Sequence, residues 1–370
     1  MHYFEYVTKD STLYEASHSM NAGLDEILEI KKDMNESATV IYVSRALLKF
    51  DLTYISKSVS SGLISNPTYY LNLYDAGSKE LNISQTLYGY PVSQSWEMGS
   101  GHFSDFPTTS DGVSWKYKDN NVTKTQWVSG SDDIGGTWYS GSEYEASQSF
   151  THEAADLRMD VTDIVNKWVE STIPNEGFIL KRSGSYGNED VNTEEKNGTN
   201  YGNFLFFSRE THTVYQPKLE VVWNDSKWTT GSLSALSSTN LEDMVLYMRG
   251  LRPEYRETSK IKFRVVGRER YPEKTFSSTG YSTGYTTAKY LPSGSTYYQI
   301  KDAYTEDIIV PFGSGSVVSC DSTGNYFNLW MNGLQSERFY RVEYKIVSGS
   351  GTANETVQYF DENHSFRVVR

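Results

Sequence analysis

The sequence is poor in cysteine, in positive charge and in long apolar runs. Cys320 is the only cysteine among 370 residues, so a disulfide within the chain and a cysteine-rich metal site are both excluded. Lys and Arg number 34 against 47 Asp and Glu, and this net charge of −13 argues against a nucleic-acid partner. No stretch is apolar enough over the length of a transmembrane helix, so we expect no membrane insertion. The N-terminus lacks the basic segment and apolar run of a signal peptide, so we expect no export signal.

Residues that commonly carry catalysis are scattered along the chain. Six histidines occur without the i, i+4 spacing of a helical metal site, and no Gly-x-Ser-x-Gly elbow joins a strand to a helix. We therefore predict that the protein is not an enzyme and needs no cofactor. Calcium is the only ion with candidate ligands, at Asp132-Asp133 and Glu189-Asp190. Neither pair has the alternating oxygen ligands of a known calcium loop, so a solvated turn is favoured.

Aromatic and β-branched residues are abundant and predict a mainly β fold. The chain has 29 tyrosines and 8 tryptophans, a composition that suits half-buried, pleated surfaces. Leu48, Phe50 and Leu52 alternate toward one face, so Leu48 and Phe50 are predicted core residues. Strands are predicted at residues 12–14, 28–30, 44–52, 69–74, 87–92, 178–180, 203–208 and 219–223, and later at 244–248, 261–266, 308–311, 326–331, 340–347 and 365–369.

One segment has the period of a helix. Between residues 159 and 170, apolar side chains recur at i, i+3, i+4, i+7 and i+8, from Val161 to Val169. Asp160 can cap the N-terminus, and the Pro-Asn-Glu-Gly turn at 174–177 ends the helix. Trp168 lies on the apolar stripe and is predicted to be core. We expect this single short helix to plug a sheet or one end of a sandwich.

The spacing of the strands predicts two domains. Residues 1–225 form the first, residues 226–240 are a Ser/Thr-rich linker, and residues 241–370 form a second domain of short strands. The second set of strands is typical of an immunoglobulin-like or fibronectin-like β-sandwich. Residues 183–201 are acidic and rich in Gly and Asn, and we expect them to form a mobile loop.

The segment 98–144 has no apolar period but contains several tryptophans, which indicates folded excursions over the sheet. Trp127, Trp138 and Tyr139 are candidates for contact with a glycan or a partner protein, because rigid aromatic rings contribute a large contact area. A role in the core is the alternative for these residues. Arg45 and Asp51 are expected to be structural, either paired across the sheet or capping turns.

Six short blocks in the first part of the chain resemble the DNRLRE family, whose jelly-roll domains are related to carbohydrate-binding modules. The resemblance implies an N-terminal jelly-roll β-sandwich and structural roles for Trp96 and Trp115. Residues 98–144 and 183–201 depart from the family pattern. The blocks are Ser44 to Leu52, Tyr70 to Tyr74, Val92 with Ser95-Trp96-Glu97, Asp160-Val161-Thr162, Asn175-Glu176-Gly177 and Pro217 to Val221.

The second half is similar in overall pattern to structural proteins of contractile-tailed bacteriophages, through Arg268 to Pro272, Lys289 to Ser293 and a final strand at the C-terminus. This resemblance implies a non-enzymatic virion protein of the tail, baseplate or neck. It would be located in the virion, in several symmetric copies, with other virion proteins as partners. The alternative is a glycan-binding or receptor-binding protein that contacts a host surface glycan. A polysaccharide-degrading enzyme is a weaker alternative. A virion protein folds in the host cytoplasm, which agrees with the absence of disulfides.

Overall fold

The computed structural model describes residues 1–35, 37, 40–121, 123–128, 134–151, 156–184, 192–236, 241–271, 276–277, 280–281, 288–349, 351 and 355–370. Over these residues the protein is mainly β, with 24 strands and two α-helices, which confirms the predicted fold class. The chain divides into two compact units. We call Glu5–Leu63 with Thr68–Val221 the N-terminal unit, and Met1–Phe4, Ile64–Pro67 and Val222–Arg370 the C-terminal unit.

These units differ in detail from the predicted domains of residues 1–225 and 241–370, which stay a prediction. The first four residues belong with the C-terminal unit. So does the described part of the expected linker, where the amide of Thr229 donates to the Cys320 carbonyl at 3.0 Å. The amide of Leu236 donates to the Tyr290 carbonyl at 2.9 Å. Both ends of the segment 228–236 are therefore bonded to this unit, and 237–240 lie outside the described residues.

The N-terminal unit is built on one large sheet with the strand order β10-β5-β13-β1-β4-β11-β6-β9, in which β3 also pairs with β4. Two further pairs, β2 with β12 and β7 with β8, lie apart from this order. The strands are β1 His2–Tyr14, β2 Ile27–Ile30, β3 Lys32–Met34, β4 Ile41–Phe50, β5 Thr68–Leu73, β6 Gln85–Pro91, β7 Tyr117–Asp119, β8 Thr125–Gln126, β9 Ala146–Phe150, β10 Leu157–Asp160, β11 Phe178–Lys181, β12 Phe204–Phe207 and β13 Lys218–Val222.

The side chain of Gln148 nearly closes this sheet on itself. Strands β9 and β10 stand at the two ends of the order, and Gln148 lies on β9. Its amide nitrogen donates to the Asp156 carbonyl at 3.2 Å, and its amide oxygen accepts from the Arg158 amide at 2.8 Å. A side-chain amide offers N–H donors and a carbonyl acceptor, as peptide groups do, so it can replace a missing ladder contact.

Two helices, rather than the single one predicted, follow strands of this sheet: α1 Thr53–Ser60 and α2 Thr162–Val169. Each begins at the threonine of an Asp-x-Thr sequence. The amide of Thr53 donates to Asp51 at 2.9 Å, and the amide of Thr162 donates to Asp160 at 3.0 Å. Helix α2 buries Ile164, Val165 and Trp168, as its apolar stripe predicts. Both aspartates therefore hold the turn into a helix, which agrees with the structural role expected for Asp51.

The C-terminal unit contains a four-stranded sheet, β14-β16-β22-β21, and a five-stranded sheet, β15-β24-β23-β19-β20. Aromatic residues from both sheets, including Phe263, Tyr298, Phe327 and Phe366, share one apolar core. This is the β-sandwich that the sequence predicts. The strands are β14 Met244–Arg249, β15 Glu254–Arg256, β16 Lys260–Glu269, β17 Phe276–Ser277, β18 Gly280–Tyr281, β19 Thr296–Asp302, β20 Ile308–Val310, β21 Ser319–Asp321, β22 Gly324–Trp330, β23 Phe339–Ser348 and β24 Thr356–Val369.

Candidate functional site

The aromatic residues proposed for ligand contact lie mostly in the core. Trp127 is 1% exposed and Trp138 is 6% exposed, and both pack in an apolar cluster with residues such as Leu47 and Ile179. The indole nitrogen of Trp127 donates to the Ser114 carbonyl at 3.0 Å. The prediction that Trp127 and Trp138 stack on a glycan or partner is therefore wrong, because the segment that carries them folds back and covers the sheet.

Tyr139, the third contact candidate, is partly exposed, and its ring lies 5.5 Å from the ring of Tyr144. Its role as a contact stays a prediction. The three predicted core residues, Leu48, Phe50 and Trp168, are all buried. The ring of Trp168 packs edge-on against Phe178, with 4.6 Å between the ring centroids.

A buried ion pair lies beneath these aromatic loops. The guanidinium of Arg45 on β4 donates to both carboxylate oxygens of Glu195, at 3.0 and 2.7 Å, and the two side chains are 1% and 2% exposed. It also donates to the carbonyls of Ile134 and Gly135, at 2.6 and 2.8 Å. The ring of Trp115 lies 4.7 Å from the guanidinium carbon. Arg45 thus holds the loop at 134–135 and the loop that carries Glu195 against the same strand.

Lys181 on β11 adds a second cation to this pair. Its amino group lies 3.4 Å from the Glu195 carboxylate and donates to the carbonyls of Arg182 and Gly184, each at 2.7 Å. Burial lowers the pKa of Lys181 to about 8. Burial by itself would raise the pKa of Glu195, but Arg45 and Lys181 outweigh it and hold that pKa below its usual value. Glu195 is therefore ionised and fully hydrogen-bonded inside the unit.

Basic residues anchor the rest of this loop. The amino group of Lys32 donates to the carbonyls of Glu194 and Asn197 at 2.7 and 2.6 Å. Arg182 donates to the Gly202 carbonyl at 2.8 Å, and burial lowers its pKa to about 10. The expectation of a mobile loop at 183–201 is therefore wrong for residues 192–201, while 185–191 lie outside the described part. The charged groups of Arg45, Lys181 and Glu195 are buried and bonded to one another. We therefore assign this cluster a structural role.

A polar cavity of about 320 Å³ opens at the start of α2. It is lined by Thr68, Glu145, Ala146 and the residues from Asp160 to Ile164. Two of its three carboxylates already form structural hydrogen bonds: Glu145 accepts from the Tyr90 hydroxyl at 2.7 Å, and Asp160 accepts from the Thr162 amide. Asp163 is the third carboxylate of this cavity.

Metal and thiol chemistry have no site among the described residues. In that part of the chain no group of three or more His, Cys, Asp or Glu side chains could hold a metal ion. The calcium candidates Asp132-Asp133 and Glu189-Asp190 lie outside it. Cys320 is buried, as the sequence predicts, and burial raises the pKa of its thiol, so the reactive thiolate is disfavoured. Neither α-helix of the described chain is long and apolar enough to cross a membrane.

Several blocks that carry the DNRLRE resemblance meet at one place in the N-terminal unit. The indole nitrogen of Trp96 donates to the Glu176 carbonyl at 2.9 Å, and the Glu176 carboxylate pairs with Lys49 at 2.7 Å. The Asn175 side chain donates to the Phe50 carbonyl at 2.9 Å. The blocks are visible in the sequence, whereas these contacts between them are not. No protein-family model matches the chain, and no curated protein matches it, so the family resemblance stays a hypothesis.

The five-stranded sheet of the C-terminal unit and its β19–β20 turn carry large exposed apolar side chains that sequence reasoning missed. Tyr304 is 75% exposed, Tyr359 is 60% exposed and Ile308 is 55% exposed. Phe339 is also exposed, and its ring lies 6.1 Å from that of Tyr304. We call Tyr304, Ile308, Phe339 and Tyr359 the exposed apolar set. The available signal was the alternation along β23, where Phe339 is out of phase with the buried Tyr340, Val342 and Tyr344.

Proposed function

We propose that the protein is a non-enzymatic structural component of a tailed-phage virion, in the tail, baseplate or neck, and that it acts through protein–protein contacts. The observation that carries this proposal is the exposed apolar set on the C-terminal unit. Tyr304 and Phe339 contact each other, and exposed apolar side chains in contact on a soluble protein's surface mark sites of association. The resemblance of this half to phage structural proteins supports the assignment to a virion.

The interior of the N-terminal unit supports the same proposal. Arg45, Lys181 and Glu195 bond to one another and to backbone carbonyls, so their role is to hold loops on the sheet. A rigid unit of this kind suits a particle component, whose surface must keep its shape through assembly. Virion components occur in several copies related by rotational symmetry, and stable contacts between them bury on the order of 1,200–2,000 Å².

We do not carry the other two functions forward. The glycan-binding alternative depended on Trp127, Trp138 and Tyr139, and the two tryptophans are buried and cannot receive a sugar ring. The enzymatic alternative depended on a pair of free carboxylates. Two of the three carboxylates in the cavity at α2 are engaged in structural hydrogen bonds.

Incorporation into particles tests the proposal. Phage carrying Tyr304→Ser and Phe339→Ser should produce particles that contain less than a tenth of the wild-type amount of the protein. The matched control is Tyr54→Ser, which changes an exposed tyrosine of the N-terminal unit and should leave incorporation unchanged. Thermal unfolding of the purified variants verifies that all remain folded. Wild-type incorporation of the double variant would contradict the assigned contact.

A further inference from the structure

The net negative charge of the chain comes from one of its two units. The C-terminal unit has 17 Lys and Arg against 16 Asp and Glu, a net charge of +1. The N-terminal unit has 17 against 31, a net charge of −14, and the two values add to the −13 of the whole chain. The protein is thus strongly acidic over residues 5–63 and 68–221 and close to neutral elsewhere.

Within the near-neutral unit, cations gather on the outer face of the four-stranded sheet. Along β16, Phe263 and Val265 point into the core, so Lys260, Lys262, Arg264 and Arg268 share the opposite face. Arg249 on β14 is the register partner of Arg264 and lies on that face as well. We call these five residues, Arg249, Lys260, Lys262, Arg264 and Arg268, the basic face.

Among the described residues, Asp321 and Asp225 accompany the basic face. Asp321 binds Lys262 at 2.8 Å and Arg264 at 2.6 Å. Asp225 lies 3.5 Å from the side chain of Asn328, the register partner of Lys262, and pairs with the N-terminal ammonium group at 3.1 Å. Cations therefore exceed carboxylates, and Arg249, Lys260 and Arg268 are exposed to solvent.

Two aromatic rings of this face are covered by its cations, while Tyr247, which points to the same side of β14 as Arg249, is 41% exposed. The amino group of Lys262 lies 3.7 Å from the centre of the Tyr326 ring, and that of Lys260 lies 5.1 Å from the centre of the Trp330 ring. A ring whose face carries an ammonium group is not open to stack on a sugar. The side chains that this face presents to a partner are mainly cationic, and they suit a partner surface rich in carboxylates.

We propose that the basic face binds the acidic N-terminal unit of a second copy of this chain. The charges of the two units are complementary, and complementary charge sets the register and raises the rate of association. Arg249, Lys260 and Arg268 are exposed, so their charges are available to a partner. Such a head-to-tail contact joins two different surfaces, so its repetition gives a ring if the rotation closes and an open filament if it does not. The inference rests on the proposed assembly function and names one of its contacts.

Sedimentation velocity of the free protein tests this contact. Wild type should self-associate at low salt. Its dissociation constant should rise at least tenfold at about 0.3 M salt, where charges are screened beyond a few ångströms. The triple variant R249E, K260E and R268E should associate at least tenfold more weakly. The control triple variant R252E, R256E and R370E changes three exposed arginines of the same unit by the same charge and should behave as wild type.

Zero-length coupling of amines to carboxylates provides a second measurement. In a mixture of isotope-labelled and unlabelled wild type, cross-links between copies should join Lys260 or Lys262 to carboxylates of the N-terminal unit. A monomeric wild type, or a face variant that associates normally, would overturn the inference. So would wild type that stays monomeric but binds short duplex DNA or a uronic-acid polysaccharide through the basic face. None of these outcomes bears on whether the protein is in the virion, so the two proposals fail separately.

Discussion

Arg45 and Glu195, 150 residues apart in the chain, form a buried two-pronged ion pair with nitrogen–oxygen distances of 3.0 and 2.7 Å. A buried ion pair of this geometry is costly to break because the remaining charge loses its partner but not its burial. In this protein two cations, Arg45 and Lys181, would be left in that state if Glu195 were removed. Removing one member of this pair is therefore a direct test of what stabilises the N-terminal unit.

Glu195→Gln should lower the free energy of unfolding by about 3–5 kcal/mol, the usual cost of removing one partner of a buried pair. Equilibrium denaturation in urea measures this change. The matched control is Glu97→Gln, which removes an exposed partner of Lys9 from a pair of similar length, 2.9 Å, and should cost less than about 1 kcal/mol. Equal costs for the two variants would mean that the buried pair does not hold the loops.

The helix α2 was predictable because its apolar residues repeat with the helical period, from Val161 through Ile164 to Trp168. Helix α1 was not, because its eight residues bury only Ile55 and Ser58 and show no stripe. The strands with clear alternation, such as β16 and β23, were found for the same reason as α2. Local periodicity therefore predicts elements that bury one regular face and misses those that bury little.

The environment of Trp127 and Trp138 could not be predicted in this way. Their neighbours are Gly, Ser, Thr and Asp, which are typical of exposed loops, so the sequence indicated surface contact. Their burial follows from long-range contacts, since the loops close over Arg45, whose partner lies 150 residues away. The surplus of cations on the basic face likewise becomes visible only when β14 and β16 are paired in register.

Asp10 should make the stability of the protein depend on pH. Burial raises its pKa from 3.8 to about 7, against the opposing hydrogen bond from the Arg209 amide at 2.6 Å. Between those values the folded protein keeps a proton that the unfolded chain has lost, so the stability contributed by protonated Asp10 declines as the pH rises toward 7.

Asp10→Asn imitates the protonated form and removes this decline. The free energy of unfolding of the variant minus that of wild type should therefore be about 2–4 kcal/mol larger at pH 8 than at pH 4. Urea denaturation at both pH values measures the difference, and the exposed Glu170→Gln is the control, with no such change expected. A constant difference between Asp10→Asn and wild type would rule out a buried, proton-binding Asp10.

Gly177, in the Asn-Glu-Gly turn after α2, should not tolerate a side chain. Its φ of +89° is unfavourable for other residues, and an added Cβ would overlap the Leu48 carbonyl oxygen. We expect Gly177→Ala to cost about 3–5 kcal/mol, from backbone strain and overpacking together. Gly62→Ala isolates the strain, because Gly62 has a similar φ of +74° and open space around it, so about 1–2 kcal/mol is expected. Chemical denaturation of both variants should reproduce this difference, and similar costs would argue against the close approach to Leu48.

Trp168 should be a core residue in solution, as its contact with Phe178 implies. Trp168→Ala should lower the free energy of unfolding by about 3–5 kcal/mol, the usual cost of deleting a large buried aromatic side chain. Leu63→Ala, at a site 75% exposed, should change it by less than about 0.5 kcal/mol. Wild-type thermal stability of the Trp168 variant, combined with loss of a binding activity, would instead identify Trp168 as a surface contact.

The central claim is that the protein is a built-in component of a virion, and quantitative mass spectrometry of purified particles tests it most directly. Particles of the encoding phage are separated on a density gradient, and the protein is quantified in each fraction beside the major capsid protein. We predict several copies per particle, with a ratio to the capsid protein that is constant across the infectious peak and resistant to a high-salt wash. Absence of the protein from that peak, or a ratio that varies between its fractions, would contradict the claim.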